Sequence, residues 1–573
     1  MRRAIIKSIL IGISVMLLCY WFLGFYYEDY EVLFTALLSG ELTPGVIYSH
    51  LYYMAHLGGL SSFYASLYQK YPAVPWLNII EYLYLLIALV VILYSFLRKT
   101  GKSYQCWFLF LLVVLFLEEI MMLNMTRVSS MLCLSSLVIL YDVLISKAPS
   151  VNYPKLLLGY GLWCLGLYTR AETAAFFLVI AGLLFYISAD PSLGNITYKK
   201  AVAILLLPVL MTISVLSFIS VQLADSKEFY LQIEPDLEYE LMVKGNFVTA
   251  DHMHSVRDSL RYNAIKNGIW GDAAVNDAAF ISSLVDQEHK GVLHWRGTGY
   301  YLNMWRYFIS DYSAYLLVYA CVSTLLLFYL LSGMGIRLLK LILFQLSLLI
   351  FVYAVAVQLK YADRVAVPLL LGCIITQVLL LLNFLKEKPR TGGRFWDMAG
   401  FVVLPASMVL IHTLDLGQKK SQDIIKYTAS FKKIAEVARD KTLFLSGEAL
   451  PLFFMHNRPF ERLSLEGFRS VYIHHSLAFN TIRPYKDYLE QQFGGDAQDY
   501  GSLYKAFAGL GQDEAVYLIS EKNEEILRKY LEQFHSLRIS WEPIDSTCFF
   551  VRPDDIMSVD ANNIRFYSAR LIH

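Results

Sequence analysis

The chain has 573 residues, 57% of them hydrophobic, 15% aromatic and only 17% charged, with a mean hydropathy of +0.47. A soluble globular chain carries roughly 25% charged residues, so this composition excludes a fold that is wholly water-soluble, and a net charge of +1 offers no basic footprint for nucleic acid. The 7 cysteines include no CxxC pair, and Cys19, Cys106, Cys133, Cys164, Cys321 and Cys373 stand in apolar runs, which excludes a disulfide framework and a paired-cysteine zinc site.

A bilayer core about 30 Å thick needs roughly 20 apolar residues per helix. Runs of that kind fall near 5–26, 79–97, 104–122, 127–146, 155–169, 173–188, 201–223, 308–332, 338–358, 365–385 and 397–415, which predicts about eleven spans. The first follows Met1-Arg2-Arg3 and Lys7 as a signal peptide would. It is long, aromatic-ended and lacks a small-residue cleavage site, so it reads as a retained span. Directly after it, "GFYYEDYEVLF" (24–34) places Glu28, Asp29 and Glu31 where the chain leaves the bilayer. Ionisable groups there either mark the water interface or serve a function.

The first outer loop, 27–78, holds segments whose apolar spacing fits amphipathic helices, broken at Gly40, Pro44 and Gly58-Gly59. Beyond it the connections alternate in chemistry. Arg2, Arg3 and Lys7, then Arg98, Lys99 and Lys102, Lys147 and Lys155, Lys199 and Lys200, Arg337 and Lys340, and finally Lys386, Lys388, Arg390 and Arg394 mark every second connection. Excess Lys and Arg identify the cytoplasmic side. The N-terminus is therefore expected in the cytoplasm and the C-terminal end outside it, as in an integral protein of a bacterial inner or plasma membrane. The other connections carry Glu118, Glu119 and Arg127, then Arg170 and Glu172, then Lys360, Asp363 and Arg364, so acids and bases at span ends gather on one face. The outer loop 225–306 has no clear period. From about 416 the pattern turns α/β, with strand-like "KTLFLSG", "AVYLIS" and "CFFVRP" between helix-like stretches. The expected organisation is a transmembrane module over 1–415 and an extracytoplasmic α/β domain over 416–573, a mainly α polytopic fold.

Several of these residues have purely structural readings. Glu119 with Arg127, Arg170 with Glu172 and Asp363 with Arg364 each make sense as local ion pairs, because a buried acid needs a partner. His50 and His56 stand six residues apart in an aromatic-rich segment. Metal ligation from one helix wants i, i+3 or i, i+4 spacing, so they read as interface histidines or as contacts to sugar or phosphate.

The chain also resembles a known family. The acidic pair Glu28-Asp29 just after span one is followed by Ala36 and Gly40, a long first outer loop carries "YSHLYYM", and eleven spans lead to an outward C-terminal domain. In these features it resembles the GT-C glycosyltransferases, multi-pass enzymes that take sugars from polyprenyl-phosphate carriers, and is similar to protein mannosyltransferases and lipid A aminoarabinose transferases. The family pattern is often Asp-Glu, the reverse of the order here. The resemblance covers roughly residues 1–190, and the remainder by layout alone.

The resemblance implies inverting transfer of a sugar from a polyprenyl-phosphate donor to an extracytoplasmic glycan, lipid or protein. Asp29 would then accept the acceptor's proton, with Glu28 binding sugar or acceptor. A phosphate leaving group wants fixed cations, a task suited to Arg. Arg127, Arg170, Lys360 and Arg364 are the candidates, with Glu119, Glu172, Asp363, His50 and His56 as further substrate contacts. No cofactor is demanded and no metal ligand assigned; a divalent ion is the one addition left open. The rival readings are a polymerase or ligase using polyprenyl diphosphates, a non-catalytic scaffold of the same shape, and a transporter, which would need polar residues along a midplane path.

Overall fold

The computed structural model describes residues 2–27, 36, 39–42, 60–100, 102–146, 152–189, 198–225, 255–266, 272, 280, 283, 298–330, 336–358, 363–387, 395–461, 465, 467–473, 483–495, 499–511, 513–549 and 563–572. The helices in the first half are α1 (Arg2–Leu18, continued by a π turn, Cys19–Leu23), α2 (Leu60–Lys70), α3 (Trp76–Lys99), α4 (Lys102–Met121), α5 (Met125–Leu144), α6 (Tyr153–Thr169), α7 (Ala171–Ser188) and α8 (Tyr198–Asp225). They are followed by α9 (Val256–Lys266), α10 (Thr298–Asp311), α11 (Ser313–Leu330), α12 (Ile336–Gln358), α13 (Asp363–Glu387) and α14 (Phe395–Val437). Two short strands, β1 (Tyr26–Tyr27) and β2 (Met122–Leu123), pair in parallel.

Among the described residues seven helices are long and apolar enough to cross a membrane, and α10 with α11 would make an eighth across a bend of 85°. The run expected as one span over 308–332 is therefore two helices. The bend has a packing cause. On α10, Trp305 and Phe308 lie 4.9 and 5.6 Å from the Tyr353 ring of α12. Tyr312, at the corner, donates to Asp363 Oδ1 at 2.9 Å.

Two helices form the centre of the bundle. In both α5 and α13 the most apolar stretch is 94% buried, whereas α1 and α8 are only 22% buried there. The outer helices turn Leu10, Trp21, Phe22, Val202 and Ile213 outward, an apolar belt that a lipid surround would cover. The Asn124 side chain caps α5 by accepting from Thr126 N at 2.8 Å. Along α5 and α6, Ser129 Oγ donates to Gly166 O (2.9 Å) and Ser136 Oγ to Gly159 O (2.6 Å). Small residues seven apart on each helix thus let the two backbones approach closely, the usual device where lipid removes the hydrophobic drive for association.

Charge separates along α5, whose 20 residues span about 30 Å. At its Leu144 end, Asp142 pairs with Lys99 of α3 and, at 3.5 Å, with Lys155 of α6. Lys200 of α8 donates there to Leu144 O at 2.8 Å. At the Asn124 end stand Arg127, Glu118, Glu119 and Arg170.

The helix α14 runs unbroken through the boundary expected at 415/416. Its 43 residues make about 64 Å, enough to leave the bundle and carry the chain into the sheet domain. That domain comprises β3 (Thr442–Leu445), α15 (Leu450–Phe454), β4 (Ser470–Ile473), α16 (Arg483–Phe493), α17 (Tyr500–Ala508), β5 (Ala515–Ser520), α18 (Glu521–His535), β6 (Ile539–Phe549) and β7 (Ile564–Leu571). The strand order is β4-β3-β5-β7-β6. The first three strands are parallel, and β7 runs antiparallel to both β5 and β6. Phe444, Tyr517 and Phe507 pack at the sheet's centre, with Phe444 and Tyr517 stacked at 4.7 Å.

Candidate functional site

The Asn124 end of the bundle collects most of the polar chemistry. Arg127, in the first turn of α5, is 1% exposed. Its Nη1 donates to Glu119 Oε1 at 3.1 Å and its Nη2 to Glu118 Oε1 at 3.0 Å. Tyr315 of α11 donates to Glu118 Oε2 at 2.6 Å, and His412 Nε2 of α14 stands 3.7 Å from the same oxygen. One cation thus faces two carboxylates in a dry setting. The cluster survives because every charge has a partner, the condition for burying ions at all.

Arg170 sits at the α6–α7 junction, where it caps both helices with extended backbone. Its Nη1 donates to Thr126 Oγ1 at 2.7 Å, one residue from Arg127. Its Nε lies 3.8 Å from Glu172 Oε2, and both side chains are partly exposed. Asp363 opens α13 and accepts from Tyr312, one helical turn from Tyr315; Arg364 follows it. Glu119, Arg127, Arg170 and Glu172 are therefore brought together, with Asp363 linked to the same end through α11. Glu28, Asp29, His50, His56 and Lys360 lie outside the described residues.

The chain reaches those acids from a defined place. Tyr27 pairs in register with Leu123, so the residue preceding Glu28 is held beside the N-terminus of α5. The turn at Gly40 has φ 73°, a conformation glycine adopts without a Cβ penalty, and Glu41 N donates to Ala36 O across it at 3.0 Å. Of the amphipathic segments expected in this loop, α2 is helical, and Tyr64 and Tyr68 on it are both 1% exposed.

The sheet domain returns to this end of the bundle through residues 457–461. Asn78 of α3 donates to both Pro459 O and Tyr27 Oη, the latter at 2.6 Å. Phe460 stacks on Tyr82 at 5.0 Å, and Phe25 stacks on Tyr82 at 4.3 Å. A second tie lies farther out. Asp272 Oδ2 is 2.6 Å from His535 Nε2, and Asp499 Oδ1 is 3.0 Å from His535 Nδ1. Burial alone would pull the His535 imidazolium down. The hydrogen bond and charge of Asp272, then the charge of Asp499, outweigh it and hold the group above its ordinary value of 6.5.

Four side chains at this end were not singled out from the sequence: Asn78, Glu81, Tyr315 and His412. Glu81 is the lone acid inside the run 79–97, and His412 the lone histidine in 397–415. A polar residue isolated within an apolar run was the available signal. Among the described residues no three His, Cys, Asp or Glu side chains are grouped so as to hold a metal ion. No family model, curated protein or solved structure matches the chain.

Proposed function

We propose that this protein is a membrane glycosyltransferase of the GT-C type, with about eleven spans, a cytoplasmic N-terminus and an extracytoplasmic sheet domain. The observation that carries the reading is convergence. The strand leading into Glu28-Asp29, the Arg127–Glu118–Glu119 cluster, Arg170 and a loop of the sheet domain all meet at one end of the bundle. Lys99, Lys155 and Lys200 collect at the opposite end, the arrangement the positive-inside rule requires if the first end faces outward.

The two arginines take different roles in this scheme. Arg127 is enclosed by Glu118 and Glu119 and acts as a pillar that joins α4 to α5. The Arg170 side chain is partly exposed, so it is the cation available to a phosphate leaving group. Asp29 serves as base toward the acceptor, with Glu28 beside it.

The test uses purified full-length protein in lipid nanodiscs with a polyprenyl-phosphate-linked hexose as donor. D29N and E28Q, each shown to be folded, should abolish or severely reduce sugar release, and R170A should reduce it. Full activity in both acid variants discards the mechanism. Activity that depends on Arg170 but on neither acid points instead to a diphosphate-dependent polymerase or ligase.

A further inference from the structure

Five carboxylates are buried among the described residues: Glu81, Glu118, Glu119, Asp272 and Glu448. Four have evident partners. Glu118 and Glu119 hold Arg127, Asp272 holds His535, and Glu448 accepts from Ser520 N at 3.0 Å. Glu81 differs. It is 2% exposed, and neither carboxylate oxygen has a hydrogen-bond partner among the described residues. A buried polar group without a hydrogen-bond partner is costly whether or not it is ionised, and Glu81 has none among the described residues.

Its surroundings suit a guest. Glu81 lies one turn into α3 at the Asn124 end, three residues after Asn78 and next to Tyr82. On α2, burial and then the charge of Glu81 push the Tyr64 phenol up. Tyr68, one turn along, is raised by burial and by the charges of Glu41 and Glu81. Residues 457–461 reach the same turns of α3, the Pro459 carbonyl on Asn78 and the Phe460 ring on Tyr82. Phe460 is 40% exposed, so this segment borders the surface.

We propose that Glu81 is a ligand-binding carboxylate that accepts hydrogen bonds from the hydroxyls of a sugar head group, admitted when the 457–461 loop lifts. Hydroxyl donors would satisfy the two oxygens that lack partners among the described residues, and the aromatic cluster of Tyr82, Phe25 and Phe460 begins at the next residue of α3. That the ligand is a sugar rests on the glycosyltransferase reading. That Glu81 faces a ligand rests on its unpaired burial.

The experiment compares the full-length wild type and E81Q in lipid nanodiscs. In the ligand-free state a companion variant, E81M, should raise the thermal midpoint, since it replaces a buried carboxyl that lacks a hydrogen-bond partner among the described residues with an apolar group of similar length. An unchanged or lower midpoint overturns the proposal by showing that the carboxylate has a structural partner. Binding is then measured for farnesyl phosphate and for its mannose, glucose and galactose conjugates. At least one conjugate should bind wild type more tightly than farnesyl phosphate. E81Q should weaken that conjugate by about tenfold or more, the worth of a hydrogen bond to a charged group, and leave farnesyl phosphate unchanged. A conjugate that keeps its advantage in E81Q removes Glu81 from the site and leaves the glycosyltransferase reading standing. If no conjugate exceeds farnesyl phosphate in wild type, both fail. Equal losses for farnesyl phosphate and the conjugates place Glu81 at the phosphate, and the sugar assignment falls.

Discussion

Replacing Arg127 by methionine probes the buried cluster directly. The guanidinium is 1% exposed, and the side chains of Glu118 and Glu119 are 2% and 0% exposed. R127M takes the guanidinium from both carboxylates in a buried site, where Glu118 keeps Tyr315 and His412 as neighbours. Removing one partner of a buried pair costs about 3–5 kcal/mol, here an expected shift of a hundredfold or more in the unfolding equilibrium, since about 1.4 kcal/mol is tenfold. The triple variant R127M/E118Q/E119Q removes all three charges at nearly constant volume. It should recover most of the loss, because replacing a buried ionic group wholesale is often neutral. The assay is unfolding of full-length protein in mixed micelles titrated with SDS, read by tryptophan fluorescence. A loss below about 1 kcal/mol for R127M, the scale of a solvent-exposed pair, would refute the view that this cluster is dry and mutually dependent. So would a triple variant no more stable than the single.

Three further outcomes are expected. His535 is held above 6.5 in the folded protein, so its clasp on Asp272 and Asp499 contributes fully below about pH 6.5 and is lost as pH rises through the folded value. Hydrogen exchange in 256–266 and 521–535 should accelerate as pH rises beyond the intrinsic chemical rate, and H535Q should abolish that extra dependence. A Cβ at Gly166 would lie 2.6 Å from Cys133 Sγ and 3.3 Å from the Ser129 carbonyl oxygen, so G166A should cost about 1–3 kcal/mol by overpacking. Adding C133A should restore part of it, as measured in the same SDS titration. F460A should loosen the sheet domain's contact with the bundle by about 0.5–1.5 kcal/mol, the worth of a stacked aromatic pair. Faster proteolysis around 457–461 with an unchanged α5–α6 core would register it.

Much of the plan was legible in the chain because a bilayer constrains backbone so strongly. An apolar run of about 20 residues can satisfy its amides there only as a helix, and helices stand at each of the eleven runs, seven of them meeting the length and hydropathy needed to cross alone. The strand-like "KTLFLSG" and "AVYLIS" became β3 and β5. Of the strand-like "CFFVRP" only Cys548 and Phe549 fall in the described residues, at the end of β6; the rest of β6, the short β4 and the polar-alternating β7 were missed, because four residues, or strands carrying Glu542 and Asp545 or Arg565 and Arg570, give little hydrophobic period. At the boundary expected at 415 the helix α14 continues without a break. Hydropathy falls there, but the helical hydrogen-bond ladder of α14 does not notice whether lipid or water surrounds it.

The composition and order of residues determined that this chain carries several helices apolar enough to cross a membrane ahead of a polar tail, and which helix ends carry charge, since both follow from local chemistry along the chain. Only the tertiary structure decided who meets whom: that Arg127 is claimed by two acids while the Arg170 side chain stays partly exposed, that Phe308 packs on Tyr353 beside the bend, and that Glu81 is buried with no hydrogen-bond partner among the described residues. Those outcomes depend on side chains brought together from helices far apart in sequence, and no pattern within a single run encodes the distance between two of them.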